Sequence, residues 1–403
     1  MIPVDAQAGI AIFDEPASSH GSGFASVAGK EAFRFKGVDA LSRDVIWVTT
    51  LDAIDLQPLA ESHPHLRRRN FFRSDVATIA WDYGVDITAK PGAAATFLSA
   101  LLNRVLRITR NAYGIEYFGD SLADTLHAQM VTENDEPRLT QGYRELIRQA
   151  YVNVHQCPTR VRGDDEVISL RWPRAGYAAL ILQYPVPIGG WHEFTGGAPS
   201  DPDQTYSFLC EIAKRACGIV KVAIERPPEG YIGLIDIGMS EARSWVPLQE
   251  AAFLARIASV RLLRVLISES FVTPNQNTRW RLPDFGAVAQ VSPTAGLIAE
   301  AHWTALATST WVNSGGRRIQ RTSPRAISMR AWDRLVCLRG AYELSTMGAR
   351  VVNYGGGGIS VAVSPERRIE LVKMAAKLHL VAPISITAQL SATSQAQVSG
   401  AAK

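Results

Sequence analysis

The sequence predicts an α+β fold, because helical and strand-like periodicities mingle along it without the regular βαβ alternation of a doubly wound sheet. Three stretches carry that reading: the buried-strand run VIWVT at 45–49, the amphipathic run 93–110, and a helix, strand, glycine turn and strand in succession from 327 to 363. The predicted architecture mixes helices and short sheets in one large, elaborated, plate-like domain over 31–385, with a sub-boundary near 196–204. Extended arms flank it at 1–30 and 386–403.

Each element has its own justification. Residues 1–30 are rich in Gly, Ser and Ala around one short strand-like patch at 9–13, which reads as an arm. VIWVT at 45–49 and VATIAW at 76–81 read as buried strands. After Pro91-Gly92, Phe97, Leu101, Val105 and Ile108 recur at helical spacing, with Arg104, Arg107 and Arg110 opposite. A second helix spans 139–154, and VISLRW at 167–172 reads as a strand. The β-like pattern from Tyr177 breaks at Pro185, Pro187, Gly189 and Gly190. The composition shifts most clearly at 196–204, where Asp201 or Asp203 is placed to cap a helix over 205–217.

A hairpin follows in GIVKVAIE (218–225), a turn at 226–230 and YIGLIDIG (231–238). Pro247 opens a helix to about 266, with Leu248, Leu254, Ile257 and Leu263 among its apolar positions. Trp332, Leu335, Leu338 and Tyr342 lie on one face of a helix over 327–348. The chain then runs through 350–354, turns at Gly355, Gly356, Gly357 and Gly358, and leaves as ISVAV. Ser364, Pro365 and Glu366 start a last helix ending near 378.

At 403 residues and 43.9 kDa, with 47% hydrophobic and 20% charged residues, the chain has ample material for a core. Its apolar runs are too short for a membrane span, and no basic flank precedes an apolar stretch near the N-terminus. The four cysteines show no paired metal spacing and read as buried thiols of a reducing compartment, with Cys210 and Cys217 on one helix face. The net charge is only +4, yet thirty-four arginines stand against eight lysines. Arginine is the preferred cation at subunit and phosphate contacts, because its planar fork makes several directed bonds.

Candidate chemistry is sparse. Gly355 to Gly358 lacks the Lys-Ser/Thr pair of a P-loop and the G-x-G-x-x-G of a dinucleotide site, so a turn permitting positive φ is the plainer reading. His63-Pro64-His65 offers two metal ligands without a third. Asp14, Glu15, Asp52, Asp55, Asp82, Asp86 and Asp236 are the carboxylates available to a two-metal nuclease or polymerase-like site. Arg317, Arg318, Arg321, Arg325 and Arg330 put five positive charges into sixteen residues with no acid, a candidate phosphate-backbone contact that would not read sequence. Arg67, Arg68 and Arg69 form an alternative basic patch. No catalytic, cofactor or metal residue is assigned.

The run AWDRLVCLRGAYELSTMGARVVNYGGGG, 331–358, resembles a segment of totivirus-type capsid proteins, in which a Trp-bearing helix leads into a strand and a glycine-containing turn. The resemblance implies a plate that packs as asymmetric dimers into an icosahedral shell around double-stranded RNA, in a virion assembled in the host cytoplasm. The polar, alanine-rich 386–403 arm has almost nothing to bury and would gain order by docking on a neighbouring copy. The sequence therefore reads as a non-enzymatic, self-assembling structural subunit. Its partners would be further copies of itself and packaged nucleic acid, with room for a second structural chain, without a cofactor or a membrane. The alternative is a nucleic-acid processing enzyme with clustered carboxylates.

Overall fold

The fold is that of a computed structural model describing residues 2–3, 7–15, 21–59, 61–132, 135, 139–150, 155–157, 159–199, 201–226, 245–284, 292–309, 311–314, 317–320 and 323–383. Helices and several small, mostly antiparallel sheets alternate irregularly, an α+β arrangement. The chain divides into two compact units. The first takes Met1–Gln129 and Pro283–Ala305 with Ala382 and Pro383. The second takes Met130–Leu282 and Leu306–Val381.

In the first unit, residues 7–13 and 22–27 are no arm. Gln7–Phe13 and Ser22–Val27 form an antiparallel pair inside a five-stranded sheet, because Ala8, Ile10, Ala11, Ile12 and Phe13 all have apolar surface to bury. Phe33–Lys36 closes one edge. Val45–Thr49, the predicted strand, lies parallel to Gln7–Phe13, and Leu66–Arg67 follows it on the far side. Gly9 is required where it stands: a Cβ there would come within 2.5 Å of the Trp47 ring. The core joins Phe13, Phe35, Val38, Leu41, Trp47 and Leu59.

The helix Pro91–Tyr113 packs on this sheet, with Asn103 donating to the Ala8 carbonyl at 2.6 Å and the Ser99 and Ser26 hydroxyls 2.8 Å apart. Its buried face carries Ala94, Leu98, Leu101, Leu102, Val105 and Leu106, so the stripe is rotated from the predicted one and leaves Phe97 and Ile108 half-buried. Val76–Asp82 is a helix, not the predicted strand. Asp75 caps it by accepting from the Ala77 amide at 2.8 Å, and the buried positions Val76, Ile79 and Ala80 follow helical spacing.

In the second unit, Cys217–Arg226 pairs antiparallel with Ser259–Ser268 and with Trp245–Pro247, while His192–Glu193 extends the sheet beyond Ser259–Ser268. The helix opening after Pro247 spans only Leu248–Ile257. Ala258 turns extended, and the β-branched Val260, Val265 and Ile267 continue as strand rather than as helix to 266. Pro202–Ala213 is the predicted helix, capped by Asp201. Cys217 begins the following strand, so it shares no helix face with Cys210. The partner strand proposed at 231–238 lies outside the described residues.

Arg174–Ile181 is helical where the sequence from Tyr177 predicts a β pattern, with Tyr177, Ala178 and Ile181 buried along one side. The long helix Pro324–Thr346 starts at Ser323, whose hydroxyl accepts from the Ala326 amide at 3.0 Å. It packs on the hairpin of Arg350–Gly355 and Gly358–Val363, central in a four-stranded sheet flanked by His155–Gln156 and Glu166–Arg171. Arg368–Lys377 is the last described helix. The predicted arm at 386–403 lies outside the described residues. No described helix is long and apolar enough to cross a membrane.

Candidate nucleic-acid interface

The sheet built on the hairpin of Arg350–Gly355 and Gly358–Val363 places a cationic feature at its rim. The segment 159–163 leaves the His155–Gln156 strand and is tied to Arg350–Gly355 twice over. The Cys157 amide donates to the Val352 carbonyl at 2.8 Å, and the Thr159 hydroxyl donates to that of Val351. Asp165 then folds the loop back, accepting from the Arg162 amide at 2.6 Å while its own amide donates to the Arg162 carbonyl. The basin so formed is lined by Thr159, Arg160, Val161, Arg162, Gly163 and Arg350, and its volume is about 620 Å³.

Its electrostatics are uneven. Arg350 donates to Asp165 at 2.5 Å, and this bond, with the Arg162 amide next, holds the Asp165 carboxyl below the usual carboxylate range. Arg160 and Arg162 are exposed, and neither makes an ion pair among the described residues. Two guanidiniums two residues apart, beside a third held at the rim, suit successive phosphates of a backbone, since each fork engages oxygens bidentately. The half-buried Cys157 thiol, two residues before Thr159, is pushed up to about 12 by burial, which leaves it protonated and inert at neutral pH.

The glycine turn beside this sheet is no phosphate cradle. Asp333, buried on the long helix, accepts from the Gly356 and Gly357 amides, both at 2.7 Å, and from the Tyr177 hydroxyl at 2.6 Å. Those amides already hold an anion, the protein's own. Burial, with the Asp333 charge second, drives the Tyr177 hydroxyl well above its ordinary pKa and keeps it a donor.

The predicted basic stretch 317–330 is dispersed. Arg317 and Arg318 fall in a short strand paired with Trp311–Ser314, but their side chains lie outside the described residues, as does Arg321. Arg325 is corrected outright: it is fully buried, donating to the Leu306 and Thr308 carbonyls beneath Trp280, because helix initiation at Ser323 turns it inward. Arg330 donates to the Ala307 carbonyl at 2.6 Å. Arg67 is likewise buried against the Gly119, Pro64 and Leu66 carbonyls. Arg68 faces Asp124 at 3.9 Å, and Arg69 pairs with Asp75 at 3.1 Å.

The carboxylates do not converge. Among the described residues no three His, Cys, Asp or Glu side chains are grouped to hold a metal. Asp14 is held by Arg34 and Ser22, Asp52 and Asp55 form a helix capping box, and Asp86 accepts from the Thr88 and Ala89 amides. Asp236 lies outside the described residues. The basin residues Arg160, Arg162 and Arg350 were missed, although the alternation in TRVRG was a usable signal. Only the fold joins that pair to an arginine nearly two hundred positions away.

No family model and no curated protein matches the chain. Solved structures of phi29 DNA polymerase do match. An orthorhombic crystal form gives a TM-score of 0.46 at 11% identity, and a ternary complex with primer-template DNA and incoming nucleotides gives 0.41 at 12%. Each covers 88% of this chain and 80% of that one. These structures are of an enzyme, against the expectation of a non-enzymatic chain, and that expectation is not kept. No residue role is carried over from them.

Proposed function

We propose that this chain handles nucleic acid, gripping the phosphodiester backbone in the arginine basin of its second unit without reading base sequence. The contact takes the place of the backbone contact expected at 317–330; the clustered carboxylates of the nucleic-acid-processing alternative do not come together among the described residues, so no processing step is assigned. The observation that carries it is the basin itself: two exposed guanidiniums without ion-pair partners among the described residues, beside a third anchored by Asp165.

Backbone contacts of this kind release counterions, so affinity falls with salt in proportion to the phosphates neutralised. In a filter-binding titration on duplex DNA, Arg160→Ala/Arg162→Ala is expected to weaken binding. It should also flatten the slope of log affinity against log salt by about 2. Both residues are exposed, so the fold should survive the change. A double variant whose affinity and salt slope match those of the parent refutes the proposal.

A further inference from the structure

In the first unit, three side chains that nothing above employs stand in a line. The Ser62 hydroxyl lies 2.8 Å from His63 Nδ1, and His63 Nε2 lies 3.0 Å from an Asp39 carboxylate oxygen. The backbone holds them there. Val38–Ala40 is a single 3₁₀ turn whose Val38 is pinned in the core, which sets Asp39 at the surface. His63 is fixed by its amide donating to the Leu59 carbonyl at 2.8 Å and its carbonyl accepting from the Leu66 amide at 3.1 Å, as the chain enters the strand Leu66–Arg67.

The chemistry of the line is directional. An ionised Asp39 can only accept, so His63 Nε2 carries the proton, and Nδ1 is left as a lone pair facing the Ser62 hydroxyl. The second acceptor near Ser62, the Leu59 carbonyl, stands at 3.4 Å, so the imidazole holds the closer claim on that proton. The His63 ring is 8% exposed whereas Ser62 is open to solvent, which shields the base and presents the nucleophile. Asp39 is mostly in water, so its contribution is to set the tautomer rather than to supply a strong field.

We propose that Ser62 is an activated nucleophile with His63 as its general base and Asp39 as the positioning residue, giving this unit an acyl-transfer activity toward small activated esters. Ser62 Oγ bonds to the ester carbonyl carbon as its proton passes to His63 Nδ1. The carbon–alkoxide bond then breaks, and the alcohol departs with that proton. Water, deprotonated in turn by His63, hydrolyses the acyl-serine and restores the hydroxyl.

The test treats the full chain with a fluorophosphonate and maps the adduct by mass spectrometry, alongside release of p-nitrophenolate from p-nitrophenyl acetate. The expected result is an adduct on Ser62 that vanishes in Ser62→Ala. His63→Gln should label about 100-fold more slowly and Asp39→Asn about 10-fold more slowly. Ser62 and Asp39 are exposed, so their variants are expected to stay folded, as circular dichroism checks. Absence of an adduct on Ser62 in the folded parent overturns the proposal, as does labelling undiminished in Asp39→Asn. Neither outcome bears on the arginine basin, which lies in the other unit.

Discussion

At position 333 a carboxylate buried in the middle of a helix organises a turn more than twenty residues away in sequence. Removing it would take the acceptor from two backbone amides and leave the Tyr177 hydroxyl only weaker ones, the Asp333 carbonyl at 3.3 Å and Cys337 Sγ at 3.5 Å, and each lost bond costs on the order of 1–3 kcal/mol. Asp333→Ala is therefore expected to lower unfolding free energy by roughly 3–5 kcal/mol, read from urea midpoints. Gly357→Ala tests the same lock from the other side. Its φ is +76°, and a Cβ would stand 3.2 Å from the Tyr177 ring, so about 1 kcal/mol or more should be lost. The buried pair of Arg334 with Glu250 belongs to the same class: Glu250→Gln would remove the carboxylate charge facing a guanidinium that is 1% exposed, and about 3–5 kcal/mol is expected to go with it.

Among the elements, Ser259–Ser268 gives a clean contrast. Leu262 is 8% exposed and Leu263 is 44% exposed, the alternation of a strand rather than the continuation of a helix. Leu262→Ala should cost roughly 2–4 kcal/mol and Leu263→Ala within about 0.5 kcal/mol, and comparable losses at both would argue for the helix. The sequence was legible here only in part. Runs with strong caps or β-branched density, such as 45–49, 201–213 and 350–363, showed their type locally. Short apolar runs at 76–81 and 174–182 did not, because three or four buried positions fit either period until a cap such as Asp75 is weighed. The basin was illegible for a different reason. Charge density drew attention to 317–330, whereas a site depends on which guanidiniums escape burial and backbone carbonyls, and only packing decides that.

For the molecule as a whole, acid is the expected weak point. Burial, with His63, Arg43 and Arg67 as lesser causes, lowers the pKa of His65 below its ordinary 6.5. The unfolded chain then binds a proton that the folded one refuses, so the His65 contribution is full above about 6.5 and fades as pH falls through that region. Asp165, held down first by Arg350, and Glu193, held down first by Arg264, act the same way lower on the scale, and their contribution is lost as pH drops below about 4. Urea midpoints should decline from pH 7 to 5, and His65→Gln should remove much of that slope. The segment 386–403, on which the shell reading rests, lies outside the described residues.

Because the first unit closes only with residues from Pro283–Ala305, a nascent chain that has reached residue 129 lacks part of that unit's interior. Glu300, which accepts from Ser74, and His302, which bonds Tyr113, are still to be translated. The second unit's early strands emerge first, so the first unit's interior stays incomplete until the polypeptide returns to it. A fragment ending at 129 is thus expected to aggregate on release, while one joining 1–129 to 283–305 through a short Gly/Ser bridge recovers a folded product.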